Sequence, residues 1–283
     1  CRYVCLPLRR IVIAQIQAIT YKEWLPLILG PDAMKYLKLN VQYKGYSKYD
    51  PYANAGVINE FSSAAFRFGH SLVNSVFAEI MPNGKTSGYR LREFFFNPFG
   101  FYEGQLDAVL RGLISQASQN RDPFITSDMK NHLYRPKDNP YGLDLAAFNF
   151  TAVEITEFEA TLTILSFALM RKFTSGTSWT NHAALAEKAI SGLVQVSDFV
   201  ATVPFAPKTD FLLQKRHDID LFSAGLAEYP LPGAAVGPTF TCIIGIQFYN
   251  LKYGDRFWFE HGYQAGSFTP GLSATAVSFV DQL

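Results

Sequence analysis

One segment is more informative than the rest of the chain: Asn59-Glu60-Phe61-Ser62-Ser63-Ala64-Ala65-Phe66-Arg67-Phe68-Gly69-His70-Ser71. Asn59 is suited to an N-cap and Glu60 to a first turn, which predicts a helix from about Asn59 to Ile80. Residues three and four apart share a helix face, so His70 is expected beside Phe66, Arg67 and Val73. Gly69 allows another surface to approach the backbone. The segment therefore predicts a histidine that can lie under a flat apolar ligand.

Arg67 sharpens this interpretation of His70. A guanidinium one turn away disfavours the imidazolium form, and the neutral imidazole is the form that binds a metal. A partly buried Arg67 would itself require an anionic partner. From these residues alone two interpretations of His70 stay open, a metal ligand or the more frequent case of a core histidine satisfied by hydrogen bonds.

The bulk properties exclude several classes of protein. The 283 residues are 48% hydrophobic and 15% aromatic, which is typical of a packed core and not of disorder. The formal net charge of +1 favours neither a nucleic-acid partner nor an anionic membrane. The apolar run Ala160 to Met170 is too short to cross a bilayer, so we expect no membrane span.

Hydrophobic periodicity and Gly/Pro punctuation predict a mainly α fold in one helical domain over residues 1–283. The segments 40–58 and 201–240 are expected to be loops. Helices are predicted over Arg9 to Leu29 (closed by Gly30-Pro31, with Pro7 marking its start), Asn59 to Ile80 (closed by Met81 to Gly84), Tyr102 to Ser118, Thr126 to Tyr134, within 151–200, and Phe240 to Tyr253.

Five segments, in order along the chain, resemble the animal haem peroxidase family, in particular its invertebrate chorion-peroxidase-like and peroxidasin-like members. One is the segment around His70. The others are Ile13 to Tyr21 with Leu25 to Gly30, Gly142-Leu143-Asp144-Leu145-Ala146-Ala147-Phe148-Asn149, Asp218 to Leu221 with Gly225 to Glu228, and Val236 to Phe240 through Gly245 to Trp258. The resemblance implies the helical fold of the family and a bound haem.

The resemblance also implies roles for individual residues. His70 corresponds to the proximal iron ligand, Asn149 to the asparagine that holds the other ring nitrogen, and Arg67 to a residue near a haem propionate. Phe66 and Val73 are expected to complete the haem contacts. An acceptor for the ring N–H fixes the tautomer and makes the ligand more basic. Asn149-Phe150-Thr151 is also a glycosylation sequon, so a helix cap or a glycan site is the competing interpretation of Asn149.

Residue 67 separates two branches that the segment resembles. Cyclooxygenase-like fatty-acid dioxygenases carry a tyrosine three residues before the proximal histidine, where it forms the oxidising radical. This chain has Arg67 there. The sequence therefore favours a peroxidase over an oxygenase.

The implied function is a secreted, haem b peroxidase that uses hydrogen peroxide to oxidise phenols such as tyrosine, or halide-type anions. In the family, the distal histidine, the catalytic arginine, a calcium loop and the acidic residues that link the haem precede the Ile13 to Gly30 helix. The chain is thus expected to be the proximal portion, with no distal catalytic residue of its own. An upstream segment or a second chain would supply those residues.

The chain also departs from the family pattern. The segment after Asn149 lacks the expected propionate-binding arginine, and no cysteine near 160–175 can pair with Cys242. Cys242 is expected to be free or paired with Cys1 or Cys5. The other histidines are expected on the surface: His132, His182, His217 and His261. Two alternatives stay open, a peroxidase fold kept as a non-catalytic structural or adhesive module, and an unrelated helical haem or metal carrier.

Overall fold

The computed structural model of the chain describes residues 2–42, 46–136, 138–155, 220–264, 266–269 and 271. Helices dominate these residues, as predicted. The helices, labelled in chain order, are α1 Arg2–Ile19, α2 Leu25–Tyr36, α3 Asn59–Ser63, α4 Leu91–Phe94, α5 Leu106–Ser115, α6 Ser127–Lys130, α7 Leu145–Ile155, α8 Leu221–Ala227 and α9 Pro238–Gly254. A 3-10 helix covers Ala65–Leu72, π-helical turns cover Thr20–Trp24 and Phe101–Gln105, and the strands β1 and β2 cover Val76–Ile80 and Thr86–Arg90.

The first predicted helix is confirmed, with different ends. α1 already includes Pro7, so the prediction that Pro7 marks the start is wrong. The π-helical turn connects α1 to α2 without a break. Gly30 bends α2 at φ +77°, a conformation that glycine adopts at low cost, and Pro31 then begins a second helical segment that reaches Tyr36. A Cβ on Gly30 would lie 3.1 Å from the carbonyl oxygen of Pro232, so the bend also allows a close approach between segments.

The predicted helix from Asn59 to Ile80 is wrong over its second half. Ile58 is the N-cap, α3 ends at Ser63, and Ala64 breaks the helix at φ −133°, ψ −65°. The 3-10 helix follows. β1 and β2 then form an antiparallel hairpin, with Val76 opposite Arg90 and Ile80 opposite Thr86. The segment predicted to close a helix, Met81 to Gly84, is the hairpin turn, in which Gly84 has φ +79°.

Other predicted boundaries also differ. The helix expected over Tyr102 to Ser118 is a π-helical turn followed by α5, which ends at Ser115. The helix expected over Thr126 to Tyr134 is only the single turn α6, because Leu133 pairs with Leu143 in an isolated bridge and Tyr134 has φ +49°. Most of the helical segment predicted within 151–200 lies outside the described residues, as do His182 and His217.

One hydrophobic core holds α1, α2, α3, α8 and α9 together. It contains Leu25, Phe222, Phe240, Ile244 and Phe259, each at most 2% exposed. The predicted last helix is confirmed as α9, and the loop expected over 201–240 contains α8 in its described part. None of the described helices combines the length and the apolar character needed to cross a membrane.

Glycines permit the tight contact between α8 and α9. A Cβ on Gly225 would lie 2.1 Å from the ring of Phe240. Buried Glu228, just after α8, accepts hydrogen bonds from the backbone N–H (2.9 Å) and the hydroxyl of Thr239 in the first turn of α9. Because burial dominates, the pKa of Glu228 rises to about 7, although Thr239 and Arg121 act in the opposite direction.

One side of α1 is apolar and open. Its exposed members are Leu8 (59%), Ile11 (45%), Val12 (45%), Ile13 (40%) and Ile16 (58%). A solvated stripe of this kind is typical of a surface that another element covers.

Candidate active site

His70 lies in the 3-10 helix. This geometry has three residues per turn, so positions 67, 70 and 73 line up along one ridge. Arg67 and Val73 therefore flank His70, while Phe66 and Gly69 share the neighbouring ridge. The tighter winding begins where Ala64 leaves the α-helical region and Arg67 N–H donates to the Ala64 carbonyl at 2.9 Å.

Asn149 is brought to His70 by α7. Asp144 caps this helix by accepting hydrogen bonds from the N–H groups of Ala146 (2.8 Å) and Ala147 (3.3 Å). Gly142, just before α7, allows this segment to pass close to the loop at His132. A Cβ on Gly142 would lie 2.4 Å from the His132 backbone. Asn149 is fully buried, and its Nδ2 lies 3.0 Å from Nδ1 of His70. A buried side chain cannot carry a glycan, so the geometry argues against the sequon interpretation.

Arg67 completes a network of three residues. Its Nε donates to the Ser62 carbonyl at 2.9 Å, and its Nη1 donates to Oδ1 of Asn149 at 3.2 Å. Both acceptors are neutral. Within the described part of the chain, no carboxylate lies at ion-pair distance from this guanidinium. Its positive charge is therefore available to an anion at this site.

The environment keeps His70 neutral. Burial lowers the pKa of His70, the Arg67 charge lowers it further, and the hydrogen bond with Asn149 acts in the opposite direction. The folded state thus favours the neutral imidazole. The contribution of His70 to stability is therefore present above about pH 6.5, the ordinary histidine pKa, and it is lost as the pH falls below that value. A neutral imidazole has a lone pair for a metal.

The orientation of the Asn149 amide determines which ring nitrogen of His70 carries the proton. With Oδ1 facing Arg67, the amide NH2 faces Nδ1 of His70, so Nδ1 accepts and the proton lies on Nε2. A metal on Nε2 requires the other tautomer, in which Nδ1–H donates to an amide oxygen. Rotation of the amide by half a turn provides that acceptor. The same rotation moves Oδ1 of Asn149 away from Arg67, so Nη1 of Arg67 becomes free to donate to another acceptor.

The side of the 3-10 helix that carries Phe66 and Gly69 is open. Phe66 is 46% exposed, with its ring stacked on Phe61 at 4.5 Å and edge-on to Trp24 at 5.9 Å. No atom of the described residues lies within 4 Å of a Cβ placed on Gly69. Among the same residues nothing hydrogen-bonds to Nε2 of His70. The described residues therefore leave space for a flat group beside this helix.

The chain is similar to known proteins over most of its length. The family model for animal haem peroxidase matches residues 8–152 and 195–275. The chain belongs to the animal haem peroxidase family. It is 35% identical over 269 residues to chorion peroxidase of Drosophila melanogaster, covering 93% of this chain and 30% of that protein. It is 34% identical over 261 residues to thyroid peroxidase of Mus musculus, covering 89% of this chain and 26% of that protein.

A solved structure shows the same fold. Peroxidase A from Dictyostelium discoideum aligns with a TM-score of 0.67 and 28% identity, covering 97% of this chain and 46% of that chain. The chain thus spans less than a third of the Drosophila relative and under half of the Dictyostelium protein. The mainly α, peroxidase-like fold expected from the sequence is confirmed.

The residues present fit a haem of the family. The donor set has three parts. It contains a partly buried imidazole that favours its neutral form and whose second nitrogen has no hydrogen-bond partner among the described residues. A buried amide lies on its first nitrogen, and a guanidinium stands without a carboxylate partner among the same residues. These groups match an axial ligand, a partner that fixes its tautomer, and a counter-ion for a propionate. Val73 follows His70 on its ridge, and Phe66 lies on the neighbouring ridge.

The segment after Asn149 continues α7 to Ile155, and the ring of Phe150 packs edge-on against Phe222 at 6.2 Å. The sequence from Phe150 to Ile155 contains no arginine.

Two other histidines and one cysteine complete the comparison with the sequence. His261 is 1% exposed, with Nδ1 2.7 Å from the Ser47 hydroxyl, so the prediction of a surface position is wrong. His132 lies in a loop and is half-buried. Cys242 carries a free thiol, and burial raises its pKa to about 11. Cys1 and the side chain of Cys5 lie outside the described atoms.

A buried charged cluster was missed from the sequence. Lys252 and Glu260 form an ion pair at 2.8 Å with at most 1% exposure, and the indole N–H of Trp258 donates to Glu260 at 2.9 Å. A signal was present, because Lys252 continues the buried stripe of Ile244 and Phe248 at spacings of four.

Proposed function

We propose that the chain forms the proximal part of a secreted haem peroxidase, in which His70 binds the iron of a b-type haem. The observation that carries the proposal is the contact between Nδ1 of His70 and the buried Asn149 amide at 3.0 Å. When bound, the haem supplies the two-electron reduction of hydrogen peroxide. The residues of this chain hold it and set its electron density.

His70 and Asn149 have distinct tasks in this proposal. His70 coordinates through Nε2, and its Nδ1–H donates to the amide oxygen of Asn149 after the amide has rotated. That hydrogen bond would increase the basicity of the imidazole, and a more basic ligand would raise the electron density of the bound haem for its reaction with peroxide. Arg67, released from the amide oxygen, binds a propionate. Phe66 and Val73 pack against the porphyrin.

The distal half of the site comes from outside this chain. The exposed stripe of α1 and the limited share of the relatives that the chain covers support this inference. We propose that an upstream segment or a second chain covers α1 and provides the acid–base groups that transfer protons on peroxide. Any calcium site and covalent haem linkage would belong to that half. The donors we propose are phenols, tyrosine side chains included, or halide-type anions.

The test uses the complete protein loaded with haem. His70→Ala should lose the Soret band or the oxidation of guaiacol, and the cavity variant His70→Gly should recover haem binding when imidazole is added. His132→Ala is the matched control, because it removes a half-buried histidine elsewhere. Unchanged spectra and turnover in His70→Ala would refute the ligand assignment.

One observation favours a second candidate, a non-catalytic structural module. The segment from Phe150 to Ile155 lacks the arginine that the family pattern places there. Purification of the complete protein with haem added during expression separates the two candidates. A colourless protein that folds and takes up no haem would support the structural module and end the claim of peroxidase activity.

A further inference from the structure

A series of aromatic rings leads away from the open side of the site. From Phe66 it passes to Trp24 (centroids 5.9 Å apart), to Phe248 (5.8 Å), to Tyr21 (5.6 Å) and to Trp258 (4.5 Å). Phe248, Tyr21 and Trp258 are at most 7% exposed. Closely spaced rings in a low-dielectric interior provide a route for electrons that contains residues able to be oxidised, the indoles and the phenol.

Trp258 has what a stable oxidation site requires, a base for its proton. Its indole N–H donates to Oε2 of Glu260 at 2.9 Å, and both side chains are at most 3% exposed. The ammonium of Lys252 lies 5.7 Å from the Trp258 ring centroid and pairs with the same carboxylate. A nearby cation disfavours an indole cation radical. Oxidation of Trp258 must therefore be accompanied by transfer of the N–H proton to Glu260.

Tyr21 lacks such a base. Its hydroxyl donates to the backbone carbonyl of Phe248 at 2.7 Å, which cannot accept a proton permanently. Burial raises the pKa of Tyr21 far above its usual range, and the carboxylates of Glu260 and Asp255 raise it further. Tyr21 therefore connects Phe248 to Trp258 without itself becoming the lasting radical.

Two tyrosines of α9 lie near Trp258, although no ring contact joins them to it among the described residues. The Lys252 ammonium is 5.7 Å from the Trp258 ring centroid and 5.9 Å from that of Tyr253, and the Tyr253 ring is 4.6 Å from that of Tyr249. The ammonium carries no electron, but the two rings can be no farther apart than these two distances together, so an electron can pass directly from Tyr253 to Trp258. Both tyrosines are partly exposed. The Tyr253 hydroxyl donates to the Lys38 carbonyl at 3.0 Å in an exposed contact, so solvent can take its proton.

We propose that Trp258 is a second oxidation site, with Glu260 as its proton acceptor, and that Tyr253 and Tyr249 oxidise phenolic donors too large to enter the haem site. The proposal rests on the proposed function, which supplies the oxidant. That oxidant is the haem after reaction with one hydrogen peroxide, when it has lost two electrons.

The electrons and protons balance as follows. Trp258 gives one electron to the haem and its N–H proton to the Glu260 carboxylate, which leaves a neutral indolyl radical and a carboxylic acid. Tyr253 then returns an electron to the indole and releases its phenolic proton to solvent, while Glu260 returns the proton to the indole nitrogen. The phenoxyl radical at Tyr253 or Tyr249 takes a hydrogen atom from an external phenol. Two such cycles restore the haem, and the two external phenoxyl radicals couple.

The first test detects the radicals directly. The complete haem-loaded protein is mixed with one equivalent of hydrogen peroxide and frozen, and electron paramagnetic resonance spectra are compared with and without ring-deuterated tryptophan or tyrosine. We expect an indole component that Trp258→Phe removes. In Tyr253→Phe the tyrosine component should decrease and the indole component should increase. Spin-trap adducts mapped by peptide mass spectrometry should occur on Tyr253 and Tyr249.

The second test compares donors of different size. The rate of oxidation of a tyrosine polymer fixed to beads is divided by the rate for iodide. Trp258→Phe and Tyr253→Phe should each lower this ratio at least about tenfold, equivalent to about 1.4 kcal/mol in activation free energy. Tyr141→Phe is the control, because Tyr141 is 73% exposed and takes part in none of these ring contacts.

The outcomes separate this proposal from the proposed function. Without a Soret band and a reaction with peroxide, the proposed function fails. A normal Soret band and normal iodide oxidation, together with unchanged radical spectra and an unchanged donor ratio in Trp258→Phe, would overturn the second site alone. If Trp258→Phe does not fold, the partly exposed Tyr253→Phe decides the question with the same two measurements.

Discussion

At the scale of single residues, the proposed haem chemistry depends on how three side chains share hydrogen bonds. Arg67 and His70 compete for one amide, and the amide can offer its oxygen to only one of them. The Asn149 amide therefore couples the protonation of His70 to the availability of the Arg67 guanidinium. This coupling makes the first two predictions specific.

Replacement of Asn149 by aspartate should retain the haem and lower the iron reduction potential. A carboxylate can accept from Nδ1–H of His70 and from Arg67 together, so the imidazole becomes more imidazolate-like and stabilises the ferric state. Spectroelectrochemistry on the complete protein measures the shift. Asn149→Leu is the contrast, since loss of this outer partner should weaken haem affinity by about 10–100-fold. An unaltered potential in Asn149→Asp would mean that residue 149 does not contact the ligand.

Replacement of Arg67 by glutamine should raise the pKa of His70. The charge at Arg67 is one of the two causes that lower it, and glutamine removes that charge while keeping a donor for Asn149. Since the folded-state pKa is depressed, the unfolded chain binds a proton more readily than the folded one below about pH 6.5, and the parent loses stability as the pH falls. NMR titration of the His70 ring protons in haem-free protein gives the His70 pKa in the parent and in Arg67→Gln. A lower pKa in Arg67→Gln than in the parent would contradict this electrostatic account.

At the scale of elements, glycine contacts and one buried carboxylate determine how α8 meets α9. Gly225→Ala should destabilise the fold by about 1–3 kcal/mol, because its methyl group would overlap the Phe240 ring. Chemical denaturation of the haem-free protein measures the loss. Gly69→Ala is the matched control, expected to leave stability unchanged or to raise it by about 0.5–1 kcal/mol, since its methyl group would meet no atom of the described residues. Equal losses in the two variants would argue against this packing.

Glu228→Gln should remove a pH dependence of stability. The folded-state pKa of Glu228 is raised to about 7 from its usual 4.5, so its contribution is fully present below pH 4.5 and is lost as the pH rises towards 7. That loss is on the order of 3 kcal/mol. Unfolding of the parent and of the variant at several pH values between 4.5 and 7 measures the difference. Exposed Glu93→Gln should keep the parental profile, and a Glu228→Gln profile identical to the parent would sink the assignment.

The elements also show what the sequence could and could not predict. The α9 helix was predictable because its apolar periodicity ends at Gly254-Asp255 as a helix should. The His70 helix was predicted too long, since Val76 to Ile80 satisfies helical and strand patterns alike, and only the pairing with β2 decides between them. The proximity of Arg67, His70 and Asn149 needed the family motifs, because a contact between residues 79 positions apart leaves no local periodicity.

At the scale of the whole molecule, a buried ion pair connects the C-terminal part of the chain to its first helices. Lys252 also donates to the Asn40 carbonyl at 3.0 Å, and Glu260 accepts from the backbone N–H of Gln42. Lys252→Met alone should cost about 3–5 kcal/mol, because Glu260 would keep a buried charge without a partner. The double variant Lys252→Met/Glu260→Gln should recover part of that loss. Denaturation midpoints of the two variants provide the measurement, and additive losses would contradict the pairing.

The open stripe of α1 belongs to the same scale. A surface with this many solvated aliphatic side chains is stable in solution only when something covers it or when its concentration is low. Its position, on the helix that runs directly into the core, explains why the same sequence periodicity predicts a buried helix. The apolar pattern of the sequence predicts that this face of α1 is buried, but it does not specify which element covers it.

Cys242 has a consequence for durability. A thiol reacts with peroxides through its thiolate, and a pKa of about 11 leaves about one molecule in ten thousand ionised at neutral pH. The sulfur in α9 is thus protected from sulfenic acid formation without a disulfide. If the complete protein reacts with peroxide as proposed, burial of the Cys242 thiol would protect this sulfur from oxidation by the same peroxide.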